Sequence, residues 1–169
     1  MSLADRVRHP AFLERVMSAE EAAALIPAGA NVGMSGFTGA GHPKAVPQAL
    51  AAHAKAELSA GKPYKINLWT GASTAPELDG ALAAANALGQ RLPFNTDPIC
   101  RNKINTGEID FIDMHLSHVA QHAWFGFLGP LHVAVIEVLG VTADGLLIPA
   151  AAVGNNKTWL EIADKVILE

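Results

Sequence analysis

The sequence predicts an α/β fold of three layers, in which a mostly parallel sheet carries helices on both faces. Short apolar segments of strand length alternate with longer helical segments, which is the pattern of a parallel sheet with crossover helices. The apolar segments have no clear polar face, as expected of strands that are buried on both sides. Because half of the 169 residues are hydrophobic and only 17% are charged, the chain can bury one core of ordinary size.

The first half of the chain alternates helix and strand. Ser18 and Glu21 form a capping-box pattern, which predicts a helix that runs to about Ile26, before Pro27 and Gly29. The segments that follow are predicted as a strand at 31–35, a helix at 43–56, a strand at 66–70 and an Ala-rich helix from 76 toward 88.

The second half is predicted to continue this alternation and to end on a strand. Its elements are a helix at 98–106, a mixed region at 109–122, a strand at 131–138, a hairpin whose returning strand is 146–148, a helix at 157–163 and a strand at 166–168. The last strand has no polar tail behind it. We therefore expect residues 1–169 to be one domain, truncated ahead of the rest of a longer protein.

Charge and cysteine content exclude several classes of protein. The formal net charge of −4, the isoelectric point near 5.9 and the scattered Lys and Arg residues argue against a nucleic-acid surface. Cys100 is the only cysteine, so no internal disulfide or thiolate metal site can form, and a cytoplasmic location is expected. Segment 1–6 is charged and predicts no signal peptide. Segment 114–136 lacks Asp, Glu, Lys and Arg, but its four histidines argue against a membrane span.

A glycine-rich segment follows the first predicted strand and precedes a helix, a position where free backbone N–H groups favour an anion. Its candidate ligand-binding residues are Gly36, Thr38, Gly39 and Gly41. The glycine spacing matches neither the dinucleotide fingerprint nor the P-loop fingerprint. The alternative interpretation is a tight turn that needs glycine for steric reasons alone.

Three further polar segments lie at or just past the predicted carboxyl ends of strands, at 70–74, 94–97 and 153–156. Ligands of open α/β sheets bind outside those ends. Small hydroxyl and amide side chains can hydrogen-bond a carboxylate there without adding charge. The alternative role is helix capping. It applies to four residues that each precede a predicted helix: Ser73, Thr74, Asp97 and Asn155.

Four motifs, in order along the whole chain, resemble one enzyme family. They are SGFTGAGHPK at 35–44, TGAST at 70–74 with LDG at 78–80, PFNTD at 93–97 and VGN at 153–155. With these motifs, the chain resembles the amino-terminal half of the acetyl-CoA hydrolase and succinyl-CoA:acetate CoA-transferase family, which belongs to the class I CoA-transferases. The resemblance implies an enzyme of two similar α/β halves, with the active site between them.

The resemblance implies a ping-pong reaction that moves CoA between short acyl groups. A glutamate carboxylate attacks the acyl-CoA thioester, and the CoA thiolate then returns to form a glutamyl-CoA thioester, which a second carboxylate or water resolves. Coenzyme A is thus a substrate, and no covalently bound cofactor is implied. Because that glutamate belongs to the second half, we expect no catalytic residue in this chain and no activity from residues 1–169 alone.

The resemblance also implies substrate-binding residues and partners. Ser73 and Thr96 face a pocket for a small carboxylate, acetate or succinate, the loop at 36–41 borders that pocket, and Asn155 belongs to the VGN motif. The expected partners are the carboxy-terminal half of the same enzyme and a second copy in a homodimer of the intact enzyme. The sequence does not separate a hydrolase from a transferase, since that depends on whether water reaches the intermediate.

Two other groups of residues could carry chemistry. Glu137 lies within an apolar strand, where a buried carboxylate can mark a site, although a structural ion pair is the alternative. His115, His118 and His122 share one face if their segment is helical, and three imidazoles could bind zinc. Only His115 matches the family pattern, so we expect no metal.

Two alternative functions are open. One is a related citrate-lyase-type CoA-transferase subunit, which handles citrate or a dicarboxylate. The other is a stand-alone α/β module that binds a small carboxylate and catalyses nothing. A second α/β half with a glycine-flanked glutamate, encoded downstream, would favour the enzyme.

Overall fold

The fold is a six-stranded sheet with helices on both faces. A computed structural model describes residues 2–73 and 75–169, apart from the side chain of Ser73. Its strands are β1 (Asn31–Met34), β2 (Phe37–Thr38), β3 (Ile66–Trp69), β4 (Ala72–Ser73), β5 (Leu88–Leu92), β6 (Asp110–Phe111), β7 (Leu131–Ile136), β8 (Val138–Val141), β9 (Leu147–Pro149) and β10 (Ala163–Leu168). The main sheet has the order β10-β7-β1-β3-β5-β6, and all of its neighbouring strands are parallel, which confirms the predicted fold class.

The helices cover both faces of this sheet. They are α1 (Leu3–Arg6), α2 (Pro10–Leu13), α3 (Ala19–Ala24), α4 (Ala45–Ser59), a π-helical turn (Pro76–Gly80), α5 (Ala81–Ala84), α6 (Pro98–Asn105), α7 (Leu116–Trp124) and α8 (Asn156–Ile162). Alternate residues of β7 point to opposite faces. Val133 and Val135 belong to the core with α3 to α6, whereas Ala134 and Ile136 belong to a second core with α7 and α8.

Local capping signals correctly predicted where two helices begin. Ser18 Oγ accepts a hydrogen bond from the Glu21 N–H at 3.1 Å, and the Glu21 carboxylate accepts one from the Ser18 N–H at 2.8 Å. Asp97 caps α6, since its Oδ1 accepts a hydrogen bond from the Cys100 N–H at 2.9 Å. Cys100 itself is fully buried in the core.

The predicted Ala-rich helix from 76 toward 88 is wrong in its second part. The π-helical turn and α5 end at Ala84, and β5 follows, a strand that the sequence analysis did not predict. β5 contains Gly89, Gln90 and Arg91, so its pattern is not that of an apolar strand. Arg91 can lie in the interior because Asp79, 12 positions earlier in the sequence, pairs with it.

The predicted hairpin exists, but its first strand differs from the prediction. β7 ends at Ile136 and belongs to the parallel sheet, whereas the separate strand β8 pairs antiparallel with β9. The mixed region at 109–122 consists of β6 and most of α7. The sequence analysis did not predict α1 and α2.

Among the described residues, no helix is both long enough and apolar enough to span a bilayer.

Candidate functional site

The strand order reverses beside β1. From β1 the chain proceeds through β3, β5 and β6 on one side, and it then returns to β7 and β10 on the other. In open α/β sheets, ligands bind outside the carboxyl ends of the strands at such a switch point. The loop that follows β1, residues 35–44, therefore occupies the position where this architecture places a ligand.

Ser35, Thr70 and Asn155 connect three segments at this edge of the sheet. Ser35 follows β1, and its Oγ accepts a hydrogen bond from the backbone N–H of Asn155 at 2.9 Å. The Nδ2 of Asn155 donates to the carbonyl of Thr70, which follows β3, at 3.1 Å. The Asn155 side chain does not cap α8, so the capping alternative is wrong for this residue. Asn155 instead joins the ends of β1 and β3 to the start of α8.

The glycine-rich loop runs beside the segment that contains Ser73. β2 and β4 form a parallel pair in which Thr38 lies opposite Ser73. At the tip of the loop, Phe37 and Ala40 exchange two backbone hydrogen bonds of 2.9 and 3.0 Å. The structure thus brings the predicted residues of the loop next to the backbone of Ser73. The side chain of Ser73 and residue Thr74 lie outside the described residues, so their roles stay predictions.

The backbone of this loop is strained and crowded. Thr38 is exposed and has a φ of 49°, a conformation that β-branched residues rarely adopt and that clusters at functional sites. Gly41 has a φ of 71°, and a Cβ there would lie 2.2 Å from the carbonyl oxygen of Ala152. Gly154 has a φ of 53°, and a Cβ there would lie 2.3 Å from Ser35 Oγ. Glycine is therefore required at both positions for the loop to approach the segment before α8.

A lysine, a glutamate and a buried histidine lie at the base of the loop. Lys44 Nζ donates to Glu137 Oε1 at 2.7 Å and to the carbonyl of His42 at 2.8 Å. The structural ion pair, one of the two alternatives for Glu137, is thus confirmed. His42 is 1% exposed, and neither of its ring nitrogens has a hydrogen-bond partner among the described residues. Burial lowers the pKa of His42 and the Lys44 ammonium lowers it further, so the ring is neutral at pH 7.

Thr96 lies on the loop after β5, the strand next to β3. The residue is exposed, and its backbone carbonyl accepts a hydrogen bond from Arg101 at 3.2 Å. The structure therefore places Thr96 at the same edge of the sheet as the loop at 36–41. Contact between its hydroxyl and a carboxylate stays a prediction.

The sequence analysis missed a buried ion pair that connects the segments around these loops. Arg91 donates from Nε to Asp79 Oδ1 at 2.8 Å and from Nη2 to Oδ2 at 3.2 Å. Both side chains are fully buried. Burial raises the pKa of the Asp79 carboxyl, and the Arg91 guanidinium opposes that rise. The signal that could have revealed the pair is the position of the Asp79 carboxylate, directly between Leu78 and Gly80 and followed by an Ala-rich apolar segment.

The histidines of α7 form a row of rings along the helix. The ring centroids of His115 and His118 are 5.5 Å apart, and those of His118 and His122 are 6.1 Å apart. His115 begins the helix, since its Nδ1 accepts a hydrogen bond from the Ser117 N–H. Within residues 2–73 and 75–169, no three His, Cys, Asp or Glu side chains are arranged to hold a metal ion.

An open depression of about 440 Å³ lies next to the loop of Thr96. It is lined by Phe94, Asp113, Met114, His115 and Leu116. A larger cavity of about 560 Å³ lies elsewhere, between the helices α1 to α3 and the strands β8 and β10, and its lining includes none of the predicted substrate-binding residues. The smaller depression is therefore the one that adjoins the candidate site.

Comparison with known families covers the whole sequence. A family model described as the acetyl-CoA hydrolase/transferase N-terminal domain matches residues 1–169. The chain belongs to this family. The resemblance drawn from the four motifs is thus confirmed, and the chain is an amino-terminal domain of a CoA-transferase and acetyl-CoA hydrolase family.

The curated relatives are named as CoA-transferases and acetyl-CoA hydrolases. The chain is 40% identical to a succinyl-CoA:acetate CoA-transferase of Clostridium kluyveri, over 97% of this chain and 30% of that protein. It is 46% identical to a propanoyl-CoA:succinate CoA transferase of Escherichia coli, over 90% of this chain and 31% of that protein. It is 36% identical to an acetyl-CoA hydrolase of Yarrowia lipolytica, over 99% and 34%. The chain thus spans about a third of the length of these relatives.

Solved structures share the fold at low sequence identity. A variant of the decarboxylase AibA/AibB superposes with a TM-score of 0.69 at 18% identity, over 90% of this chain and 72% of that one. Glutaconate coenzyme A-transferase from Acidaminococcus fermentans superposes with a TM-score of 0.66 at 11% identity, over 90% and 68%. These similarities show the common α/β architecture.

Proposed function

We propose that this chain forms one wall of the active site of an enzyme that moves CoA between short acyl groups, from acetyl-CoA to succinate or from succinyl-CoA to acetate, with water as the alternative to the second carboxylate. Membership of the family supports the proposal and favours it over a binding module without catalysis. The observation that carries it is the junction of the loop at 36–41 with the segment of Ser73, at the carboxyl edge of the sheet.

The covalent steps of this proposal take place on a glutamate outside the chain. Its carboxylate oxygen bonds to the thioester carbonyl carbon, and the C–S bond breaks to release CoA thiolate. The thiolate attacks the glutamyl carbonyl of the resulting anhydride, which releases the acyl group as a carboxylate and leaves a glutamyl-CoA thioester. If a second carboxylate attacks the glutamyl-CoA thioester, the enzyme acts as a transferase. If water attacks it, the enzyme acts as a hydrolase.

In this proposal the chain holds the small carboxylate while the glutamate reacts. The hydroxyls of Ser73 and Thr96 donate hydrogen bonds to the carboxylate, and the loop at 36–41 forms the side of the pocket. The strained backbone of Thr38 and the cross-links made by Asn155 support a rigid pocket, because such strain persists only where the surroundings enforce it. Rigid placement favours reaction by orienting the reacting groups.

The remaining parts of the proposal concern assembly and location. We assign the reactive glutamate and most CoA contacts to the carboxy-terminal half of the enzyme, and we expect the intact enzyme to be a homodimer. The relatives, which are about three times as long as this chain, support a second half. The single cysteine, a buried free thiol, supports a cytoplasmic location.

The test uses Ser73→Ala and Thr96→Val in the full-length enzyme. Each variant removes one hydrogen bond to a charged ligand, worth about 1.5–3 kcal/mol, so kcat/KM for acetate should fall about 10- to 150-fold. Succinyl-CoA consumption at varied acetate concentrations measures this ratio. Free-thiol release without a carboxylate acceptor measures the hydrolase reaction separately.

Ser59→Ala is the matched control. Ser59 is also a hydroxyl on this chain, but it lies at the carboxyl end of α4, where its Oγ donates to the Lys55 carbonyl. This variant should keep wild-type kinetics. If Ser73→Ala and Thr96→Val keep wild-type acetate kinetics and only lower the melting temperature, both hydroxyls serve stability alone and the proposed pocket is wrong.

A further inference from the structure

The buried pair of Asp79 and Arg91 joins two segments that the proposed pocket needs. Asp79 lies in the π-helical turn that begins three residues after Ser73, and Arg91 lies near the end of β5, five residues before Thr96. The guanidinium and the carboxylate meet at two points, and Arg91 Nη1 also donates to the Leu92 carbonyl. The pair is therefore a cross-link between the segment of Ser73 and the segment of Thr96.

A second contact joins the same two segments. Gly80 ends the π-helical turn, and a Cβ there would lie 2.8 Å from Asp97 Oδ2. The other carboxylate oxygen of Asp97 caps α6. The turn that carries Asp79 thus packs directly on the residue after Thr96. π-helical turns are rare and occur frequently at functional sites.

Stability alone does not explain why this pair is buried. Removing two charges from water is costly, and the replacement of a buried ion pair by apolar residues of similar volume is often neutral or stabilising. Two-point contact does impose a defined geometry on both segments, since a guanidinium fork fits a carboxylate in one plane. The pair cannot bind substrate directly, because both side chains are fully buried and both carboxylate oxygens accept hydrogen bonds from Arg91.

We propose that Asp79 and Arg91 are positioning residues, which hold the segments of Ser73 and Thr96 at the separation that a small carboxylate requires. The inference rests on the proposed function, since the pocket belongs to that proposal. A displacement of about 1 Å is enough to impair a binding or catalytic constellation severely. The pair therefore sets the affinity of the pocket for acetate or succinate without touching either.

The experiment uses the full-length enzyme with the double variant Asp79→Leu/Arg91→Met. The apolar pair should keep the urea midpoint of wild type or raise it, whereas the KM for acetate should rise about 10-fold or more. The kcat, which is measured at saturating acetate, should lie within about threefold of the wild-type kcat, because a high acetate concentration compensates for a looser pocket. An unchanged acetate KM in this folded variant would overturn the inference.

Arg91→Lys provides a second variant in case the double variant does not fold. It keeps the charge but loses the two-point geometry, so its acetate KM should lie between those of wild type and the double variant. A folded Arg91→Lys enzyme with wild-type acetate KM contradicts the inference. The control, Lys103→Gln/Glu108→Gln, removes an ion pair of 2.9 Å at the far end of α6 and should leave the acetate KM unchanged.

A double-mutant cycle separates this inference from the proposed function. If the pair acts through Ser73, the two changes should not be independent. The acetate KM of the combined variant, relative to wild type, should then be less than the product of the factors by which Asp79→Leu/Arg91→Met and Ser73→Ala each raise it. Independent, multiplicative effects contradict the inference. If Ser73→Ala and Thr96→Val alone have no effect on the acetate KM, the proposed pocket itself fails. If they raise it while the double variant does not, only the positioning role fails.

Discussion

At the level of single residues, His42 has two ring nitrogens in an environment that does not satisfy them. Its imidazole is buried in the loop after β1 without a hydrogen-bond partner among the described residues. A buried polar group without a partner loses its hydration and gains nothing in return. Trp69 and Trp159 also have ring N–H groups without partners among the described residues, but both are large aromatic residues in the core.

We predict that His42→Phe raises the free energy of unfolding of this chain by about 1 kcal/mol at pH 7.5, because it removes two buried polar atoms without partners. The pKa of His42 is lowered in the folded state, so the unfolded chain binds more protons as the pH falls through 6.5, the ordinary value for histidine. Wild type should therefore lose stability below about pH 7.

Urea unfolding between pH 7.5 and 5.5 checks both parts of this prediction. The His42→Phe variant should show a shallower loss of stability toward low pH than wild type. His53→Phe is a control, since that histidine is only partly buried and packs edge-on against Tyr64. If His42→Phe is less stable than wild type at pH 7.5, the imidazole has a partner and its role must be reassigned.

At the level of secondary-structure elements, α4 depends on a residue from the opposite end of the chain. Its N-cap, Lys44, makes no side-chain capping bond. The Glu169 carboxylate accepts hydrogen bonds from the N–H groups of Ala45 and Val46, both at 2.8 Å, and from that of Lys44. A carboxylate at this position satisfies free N–H groups and interacts favourably with the helix dipole. The end of β10 thereby fixes the start of α4, next to the glycine-rich loop.

We predict that Glu169→Ala lowers the free energy of unfolding by about 2 kcal/mol, as expected for the loss of a charged helix cap. Urea denaturation followed by circular dichroism measures the change. Glu161→Ala is the matched control, because Glu161 pairs with Lys157 on the surface of α8 and should cost less than about 0.5 kcal/mol. Equal effects of the two substitutions would show that the contact with α4 contributes little.

At the level of the whole molecule, the described carboxylates with structural partners are not free to act as nucleophiles. Glu137 pairs with Lys44, Glu169 caps α4 and Asp79 pairs with Arg91. Acyl transfer through a carboxylate needs an available nucleophile beside preorganised oxyanion donors. In the proposed function the nucleophile and those donors come from the rest of a protein about three times as long.

We predict that purified residues 1–169 do not turn over acyl-CoA. With acetyl-CoA and succinate, neither free thiol nor succinyl-CoA should accumulate above the level without protein. Trapping with hydroxylamine should reveal no activated glutamate in this chain, whereas the full-length enzyme should show one beyond residue 169. Turnover by the fragment near the rate of the intact enzyme contradicts the prediction, and Glu137→Gln would then be the first substitution to make.

The sequence by itself determined the features that depend on near neighbours. The strands at 31–34, 66–69 and 131–136 are recognisable because most of their residues are apolar and buried, as expected of strands covered on both faces of the sheet. The capping box at Ser18 and the cap at Asp97 are complete within four residues of chain. The family motifs are also local, so they identified the family without knowledge of the strand order.

Only the tertiary structure decided which distant segments meet. Arg91 makes β5 look polar, and it becomes a buried strand residue only when Asp79 neutralises it. Asn155 has the sequence signature of a helix cap, yet its side chain donates to a carbonyl that lies 85 positions earlier. Glu169 is separated by more than 120 positions from the helix that it caps. Such pairings depend on the order of strands in the sheet, and no local pattern of apolar and polar residues encodes that order.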